Sequence, residues 1–273
     1  MCYNHCKSRQ GSEEMGKTIA VVNQKGGVGK TTTTVNLSAC VAAKGFKTLL
    51  VDIDPQGNAT SGLGINKRNL ETSSYDVIIN SVPAREALIE TQFENLWIIP
   101  SNMNLAGAEL ELVDLKKREL KLKNALALIK NDFDFIFLDC PPSLGLITLN
   151  ALCAANTVFV PIQCEYYALE GLAQLMTTIR QVKRLYNPLI DLEGVLLTMY
   201  DGRLNLTRQV VDELKKFFPK KVYGTAIPRN VKLSEAPSFG MPVIYYDKGS
   251  KGAAAYNALA EEFIVMNKKG DDS

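Results

Sequence analysis

NQKGGVGKTTTTVNL, Asn23 to Leu37, is the stretch on which the fold turns. An apolar run of strand length, TIAVVNQ (Thr18–Gln24), leads into it, and a segment of helix length, Lys30–Lys44, leaves it, with Gly45 as the C-cap. A strand, a Gly-rich turn with Lys-Thr, and a helix in that order form a phosphate-binding loop. Gly26, Gly27 and Gly29, with Val28 among them, let the backbone turn its N–H groups inward around phosphate oxygens. Lys30 is placed to put a point charge on the β- and γ-phosphates. The Thr31 hydroxyl is placed for Mg²⁺, and Thr32 for the α-phosphate. The helix adds the positive end of its dipole. Lys25 is not needed by this cradle. A long cation at the rim either stays solvated or reaches the nucleotide of a second subunit, which would put two nucleotides at a two-fold interface.

Outward from the loop, apolar runs alternate with helix-length segments. TLLVDID (Thr48–Asp54), LWIIP (Leu96–Pro100), FDFIFLDCPP (Phe133–Pro142), TVFVPI (Thr157–Ile162), LEGVLLTMY (Leu192–Tyr200) and VYGTAIP (Val222–Pro228) read as strands. Leu105–Lys130, a segment running through Ala154, Ala168–Tyr186, Leu204–Phe218 and Lys251–Met266 read as helices, and Gly57–Glu94 is the least regular stretch. Near-continuous apolar strands between helices specify an α/β fold: a mostly parallel, twisted sheet covered on both faces, of the P-loop NTPase type. No repeat or linker divides residues 15–273, so a single domain is expected there.

The chain of 273 residues is 46% apolar with a formal charge of +2, so any nucleic-acid surface must be a local patch. The six cysteines form no zinc-finger spacing with His5, the one histidine, and read as reduced, mostly buried thiols. No run approaches the roughly 20 apolar residues of a membrane span. Residues 1–14, MCYNHCKSRQGSEE, lack both periodicity and a signal-peptide core and read as a disordered extension; Cys2, His5 and Cys6 are too few for a structural zinc site.

Ligands of open parallel sheets lie beyond the carboxyl ends of the strands. Of Asp52 and Asp54, only one is expected to face the loop, and this rule favours Asp54, taken as the last residue of its strand. Asp52 is expected to cap the following turn. Asp139 ends another long strand and is placed to hold Mg²⁺ through a water. Thr31, Asp54 and Asp139 are thus the candidate magnesium residues. From Arg180 to Lys232 there are eleven Lys/Arg and five Asp/Glu, an excess of six positive charges, with no motif for reading bases. Phosphate contacts alone would give sequence-independent, salt-sensitive binding.

KGGVGKTT with its leading lysine is a deviant Walker A motif, and VDIDPQGNATSGLG, DCPPSLG, PIQCEYYALEGL and IPRNVKLSEAPS follow in order. Together they resemble the ParA/Soj family of chromosome-partitioning ATPases, related to MinD, from about Met15 to Phe263. The resemblance implies an ATP- and Mg²⁺-dependent switch. Lys25 would contact the partner subunit's nucleotide in an ATP-sandwich homodimer, and Asp54 would orient the attacking water. Pro228 and Asn230 would frame the base. Arg203 and Lys232 would meet non-specific double-stranded DNA. It also implies a ParB-like partner that stimulates otherwise weak hydrolysis, and a cytoplasmic, nucleoid-associated protein rather than a membrane one. A MinD-like regulator would need a basic amphipathic tail, and EEFIVMNKKGDDS finishes acidic. An iron–sulfur reductase would need paired cysteines at a subunit interface, which are not evident. A metabolic, carboxylate-activating enzyme and a cargo-positioning relative share the loop, and the sequence does not separate chromosome from plasmid or other cargo.

Overall fold

The apolar runs become one seven-stranded sheet. The structure, a computed structural model, describes residues 16–165 and 167–268. The extension expected over residues 1–14 and Tyr166 lie outside the described residues. In chain order the elements are β1 (Lys17–Val21), α1 (Lys30–Ala43), β2 (Thr48–Asp52), α2 (Asn58–Gly62), α3 (Ser74–Ile78), β3 (Ile89–Glu90), β4 (Leu96–Ile99), α4 (Ala108–Val113) and α5 (Lys121–Ala127). Then come β5 (Phe135–Asp139), α6 (Leu146–Ala154), β6 (Thr157–Gln163), α7 (Ala168–Leu185), β7 (Asp191–Thr198), α8 (Asn205–Phe217), α9 (Val231–Glu235), α10 (Val243–Tyr246) and α11 (Lys251–Lys268). The sheet order is β3-β4-β2-β5-β1-β6-β7. Pairing is parallel throughout except that the short edge strand β3 runs antiparallel to β4.

Period-two alternation sorts each strand's side chains onto the two faces of the sheet. Ile19 and Val21 face Leu37, Val41, Phe137 and Phe263, so α1 and α11 cover that side. Ala20 and Val22 face the other way, into a core shared with Ile147, Leu175, Val182 and Leu214 from α6, α7 and α8. Both faces are therefore dry, which is why the strands read as unbroken apolar runs. Each such Leu, Ile or Phe contributes about 1.5–3 kcal/mol by leaving water. α7 buries one stripe, Ala168, Leu172, Leu175, Ile179 and Val182, at helical spacing, flanked by the half-buried Leu169 and Met176. α1 is buried almost all round because α11 lies over it. Among the described residues, no helix is long and apolar enough to cross a membrane. Cys40, Cys140 and Cys153 are free and buried, and Cys164 is free and half-buried, as expected of reduced thiols.

Three expectations fail locally. Leu105–Lys130 is not one helix: α4 and α5 are separated by a break in which Lys117 adopts a left-handed φ of 53° and Arg118–Leu120 form a 3₁₀ turn. The Asn150 side chain stabilises the break, donating to the Arg118 carbonyl at 2.8 Å and accepting the Leu122 N–H at 3.2 Å. Val222–Pro228 is not a strand but touches β7 and its extension at isolated bridges, Val195 to Val222 and Tyr200 to Pro228. Between them the Gly224 and Thr225 N–H groups are taken by the Glu262 carboxylate, at 2.6 and 2.9 Å, and Pro228 has no N–H to give. The third concerns β2, which ends at Asp52, so Asp54 lies in the loop beyond it.

Candidate nucleotide site

The phosphate-binding loop leaves the carboxyl end of β1, between β5 and β6. Gly27 and Gly29 take left-handed φ values of 74° and 86°, the conformations glycine permits. The loop is tied to β6 and β7 and braced within itself. Asn23 donates to the Pro161 carbonyl at 2.8 Å and accepts the Lys25 N–H at 3.0 Å. Thr198, at the end of β7, donates its hydroxyl to the Val28 carbonyl at 2.8 Å. The first turn of α1 has no side-chain cap and no acidic residue, so its N–H groups remain available to an anion.

Lys30 is buried, and its amine donates to the Lys25 carbonyl at 3.0 Å. Burial pulls its pKa down, against Asp139, Cys140 and Asp54, which act the other way. A buried ammonium with one carbonyl partner is a site built for a further anion. Lys25 itself is half-exposed and forms an ion pair with Glu165, two residues beyond β6 in its own chain.

Three carboxylates meet beside the loop. Asp139 is fully buried; Oδ1 accepts the Thr34 hydroxyl at 2.8 Å, while Oδ2 has no hydrogen-bond partner. Burial foremost, then the neighbouring Asp52, pushes its pKa up to about 8, with the Thr31 and Thr34 hydroxyls opposing. Asp52 pairs in register with Asp139 across β2 and β5. It is buried, its pKa raised to about 6 by desolvation. It fastens the next loop as the turn-capping reading expects: Oδ1 accepts the Asp54 N–H at 3.1 Å, and Oδ2 accepts the Thr60 N–H at 2.8 Å and hydroxyl at 2.7 Å. Asp54 also caps, its Oδ1 taking the Gln56 N–H at 2.9 Å. Among the described residues, no three His, Cys, Asp or Glu side chains are grouped to hold a metal unaided. Magnesium fits this arrangement in the way it usually binds, through one or two protein oxygens plus phosphates. The half-exposed Thr31 hydroxyl and the orphaned Oδ2 of Asp139 are the oxygens on offer.

Beside the loop opens a cleft of about 560 Å³, lined by Gly29, Thr32, Met199, Pro228, Asn230 and Tyr256 among others. Its size is that of a small-molecule site. Pro228 and Asn230 thus share one cavity with the phosphate loop, although Asn230 also N-caps α9 by accepting the Lys232 N–H at 2.9 Å. Met199 holds a left-handed φ of 49° at the cleft wall. Thr198, Met199, Asn23, Glu165 and Tyr256 were not singled out by sequence. The one available signal was position, since Thr198 and Met199 stand at the carboxyl end of a predicted strand.

The basic stretch is less bare than its count suggests. Arg203 is exposed but forks onto Asp201, Nε to Oδ1 at 2.9 Å and Nη2 to Oδ2 at 2.6 Å. That contact draws the Asp201 pKa down to about 2. Lys232 pairs with Glu235 at 2.8 Å and lies 5.6 Å over the Tyr246 ring. Lys216 and Lys221 pair with Glu213 and Asp191. Such exposed pairs are screened by water and salt, so a polyanion competes with them readily.

Sheet order, loop and carboxylates define a P-loop nucleotide hydrolase of the α/β class. A family model described as an AAA domain (AAA_31) matches residues 16–192. The chain is 57% identical over 248 residues to the sporulation initiation inhibitor protein Soj of Bacillus subtilis, covering 91% of this chain and 98% of that one. It is 50% identical over 258 residues to the chromosome partitioning protein ParA of Myxococcus xanthus, covering 94% and 91%. Among solved structures, a Mycobacterium smegmatis protein described as cobyrinic acid a,c-diamide synthase, with bound ADP and magnesium, superposes with a TM-score of 0.81 at 39% identity, covering 94% and 97%. The chain belongs to the ParA/Soj family of chromosome-partitioning ATPases.

Proposed function

We propose that this chain is an ATP-switched dimer that holds DNA without sequence preference and lets go on hydrolysis. The observation that carries it is the buried, under-partnered Lys30 beside the uncapped start of α1 and the orphaned Asp139 Oδ2. Those groups await a phosphate chain and a cation, and ATP with magnesium supplies both. Bound magnesium offsets charge on the β- and γ-phosphates. Lys30 and the α1 N–H groups hold the phosphates, Thr31 and Asp139 orient the cation, and Asp54 orients the attacking water. Pro228 and Asn230 bound the base.

Lys25 crosses to the partner subunit's nucleotide. Its present pairing with Glu165 does not oppose this strongly, because an exposed ion pair contributes at most about 1 kcal/mol while a phosphate anion offers more charge. Lys25 from the second copy is the cation that completes the site, so hydrolysis stays slow in a single copy. Arg203 and Lys232 exchange Asp201 and Glu235 for DNA phosphates. Pairing two copies doubles the patch and strengthens retention by multivalency. A ParB-like protein speeds turnover, and the dimer resides on the nucleoid in the cytoplasm. A membrane role is disfavoured because Phe263 and Ile264 of the C-terminal helix are committed to the core with Phe135 and Phe137. A diamide-synthase activity is ranked second, because identity falls from 57% to 39% between the two kinds of relative.

A DNA pull-down with ATP, with ADP and with Asp54→Ala tests the reading. Retention should require ATP, persist in Asp54→Ala, fall steeply with added salt and weaken in Arg203→Glu without loss of nucleotide binding. Equal retention in ADP and ATP refutes it.

A further inference from the structure

We infer that Lys67 is a positioning residue for hydrolysis, a strap across the loop that carries Asp54. This rests on the reading that Asp54 orients the attacking water. The turn Asp54–Gly57 is held by its own groups: the Asp54 carboxylate takes the Gln56 N–H at 2.9 Å, and the Asp54 carbonyl takes the Gly57 N–H at 2.9 Å. Gly57 has a left-handed φ of 59°, and a Cβ there would lie 2.7 Å from the Ser101 carbonyl oxygen, so the turn has little room to rearrange.

From the inner side, buried Asp52 binds the Asp54 N–H and Thr60. From the outer side, Lys67 reaches over. Its amine donates to the Gln56 carbonyl at 2.5 Å, and its stem lies on Gly57, with Cδ 3.1 Å from the ideal Cβ position. Among the described residues Lys67 makes no ion pair, although carboxylates are common partners elsewhere on this surface. The peptide between Gln56 and Gly57 is therefore gripped at both ends, its C=O by a cation and its N–H by the Asp54 carbonyl. A cation on the oxygen polarises the peptide and strengthens its N–H as a donor. That sharpens the same turn whose preceding N–H, that of Gln56, aims the Asp54 carboxylate. The strap touches neither nucleotide nor water; it acts through Asp54.

The test compares Lys67→Met, which keeps the stem and loses the amine, with Lys67→Arg, which keeps a cationic donor. Hydrolysis by the full chain is measured across ATP concentrations, with Asp54→Ala as the reference. Expected is a fall in kcat of about tenfold for Lys67→Met with KM for ATP within about twofold, recovery in Lys67→Arg, and no further loss when Lys67→Met is added to Asp54→Ala. Wild-type kcat in Lys67→Met while Asp54→Ala is inactive overturns the strap alone. A kcat loss that Lys67→Arg does not restore, or that comes with an equal loss of ATP affinity, also overturns it. Wild-type turnover in Asp54→Ala overturns the reading beneath it.

Discussion

Thr198→Val removes one hydroxyl and tests whether the edge strand β7 holds the phosphate loop in shape. The Thr198 Oγ1 donates to the Val28 carbonyl at 2.8 Å, and the two residues are only 2% and 1% exposed. Valine has the shape of threonine, so no cavity opens; the change strands a buried carbonyl. An unmet buried acceptor costs about 1–3 kcal/mol. The threonine methyl also lies 3.7 Å from where a Cβ on Gly29 would sit, a contact valine preserves. The whole effect is therefore assigned to the hydrogen bond. Urea unfolding of the nucleotide-free protein should show a loss of about 1–2 kcal/mol. If the freed carbonyl lets the loop relax, ATP affinity falls as well, by up to about tenfold for 1.4 kcal/mol. Thr198→Ser keeps the donor and should retain the affinity. A valine variant that unfolds within about 0.5 kcal/mol of wild type and binds ATP equally well refutes the tie.

Asp139 has a folded pKa of about 8 against 3.8 for an ordinary aspartate, so the folded state binds the proton more tightly than the unfolded one. The stability this contributes is full below about pH 4 and is lost as pH rises toward 8. Without nucleotide, wild type should lose stability between pH 6 and 8 relative to Asp139→Asn, read from urea midpoints; parallel curves would contradict the burial argument. At the break between α4 and α5, exposed Lys117 carries a left-handed φ of 53°. Lys117→Gly should stabilise by about 0.5 kcal/mol, a small rise in Tm, whereas a fall in Tm would show that the strain has been misplaced.

The loop, its flanking strand and helix, and the doubly covered parallel sheet could all be read from residue order, because each is a local pattern. Glycine freedom, a Lys-Thr pair, a 3.6-residue period and unbroken apolar strands need no knowledge of distant contacts. Where distant side chains competed for the backbone, local reading failed. Glu262 takes the N–H groups that would have made Val222–Pro228 a strand, and Asn150 supports the break inside Leu105–Lys130. The same holds at the site. Sequence order points to Lys25, Lys30, Asp54 and Asp139, whereas only the fold brings Glu165 to Lys25, Thr198 to the Val28 carbonyl and Lys67 over Gln56. Those partners lie 140, 170 and 11 residues away along the chain. What each functional group is chemically was determined by the residues themselves. What each one touches before nucleotide arrives was decided by tertiary packing, since hydrogen bonds and ion pairs depend on distance in space and not on spacing along the chain.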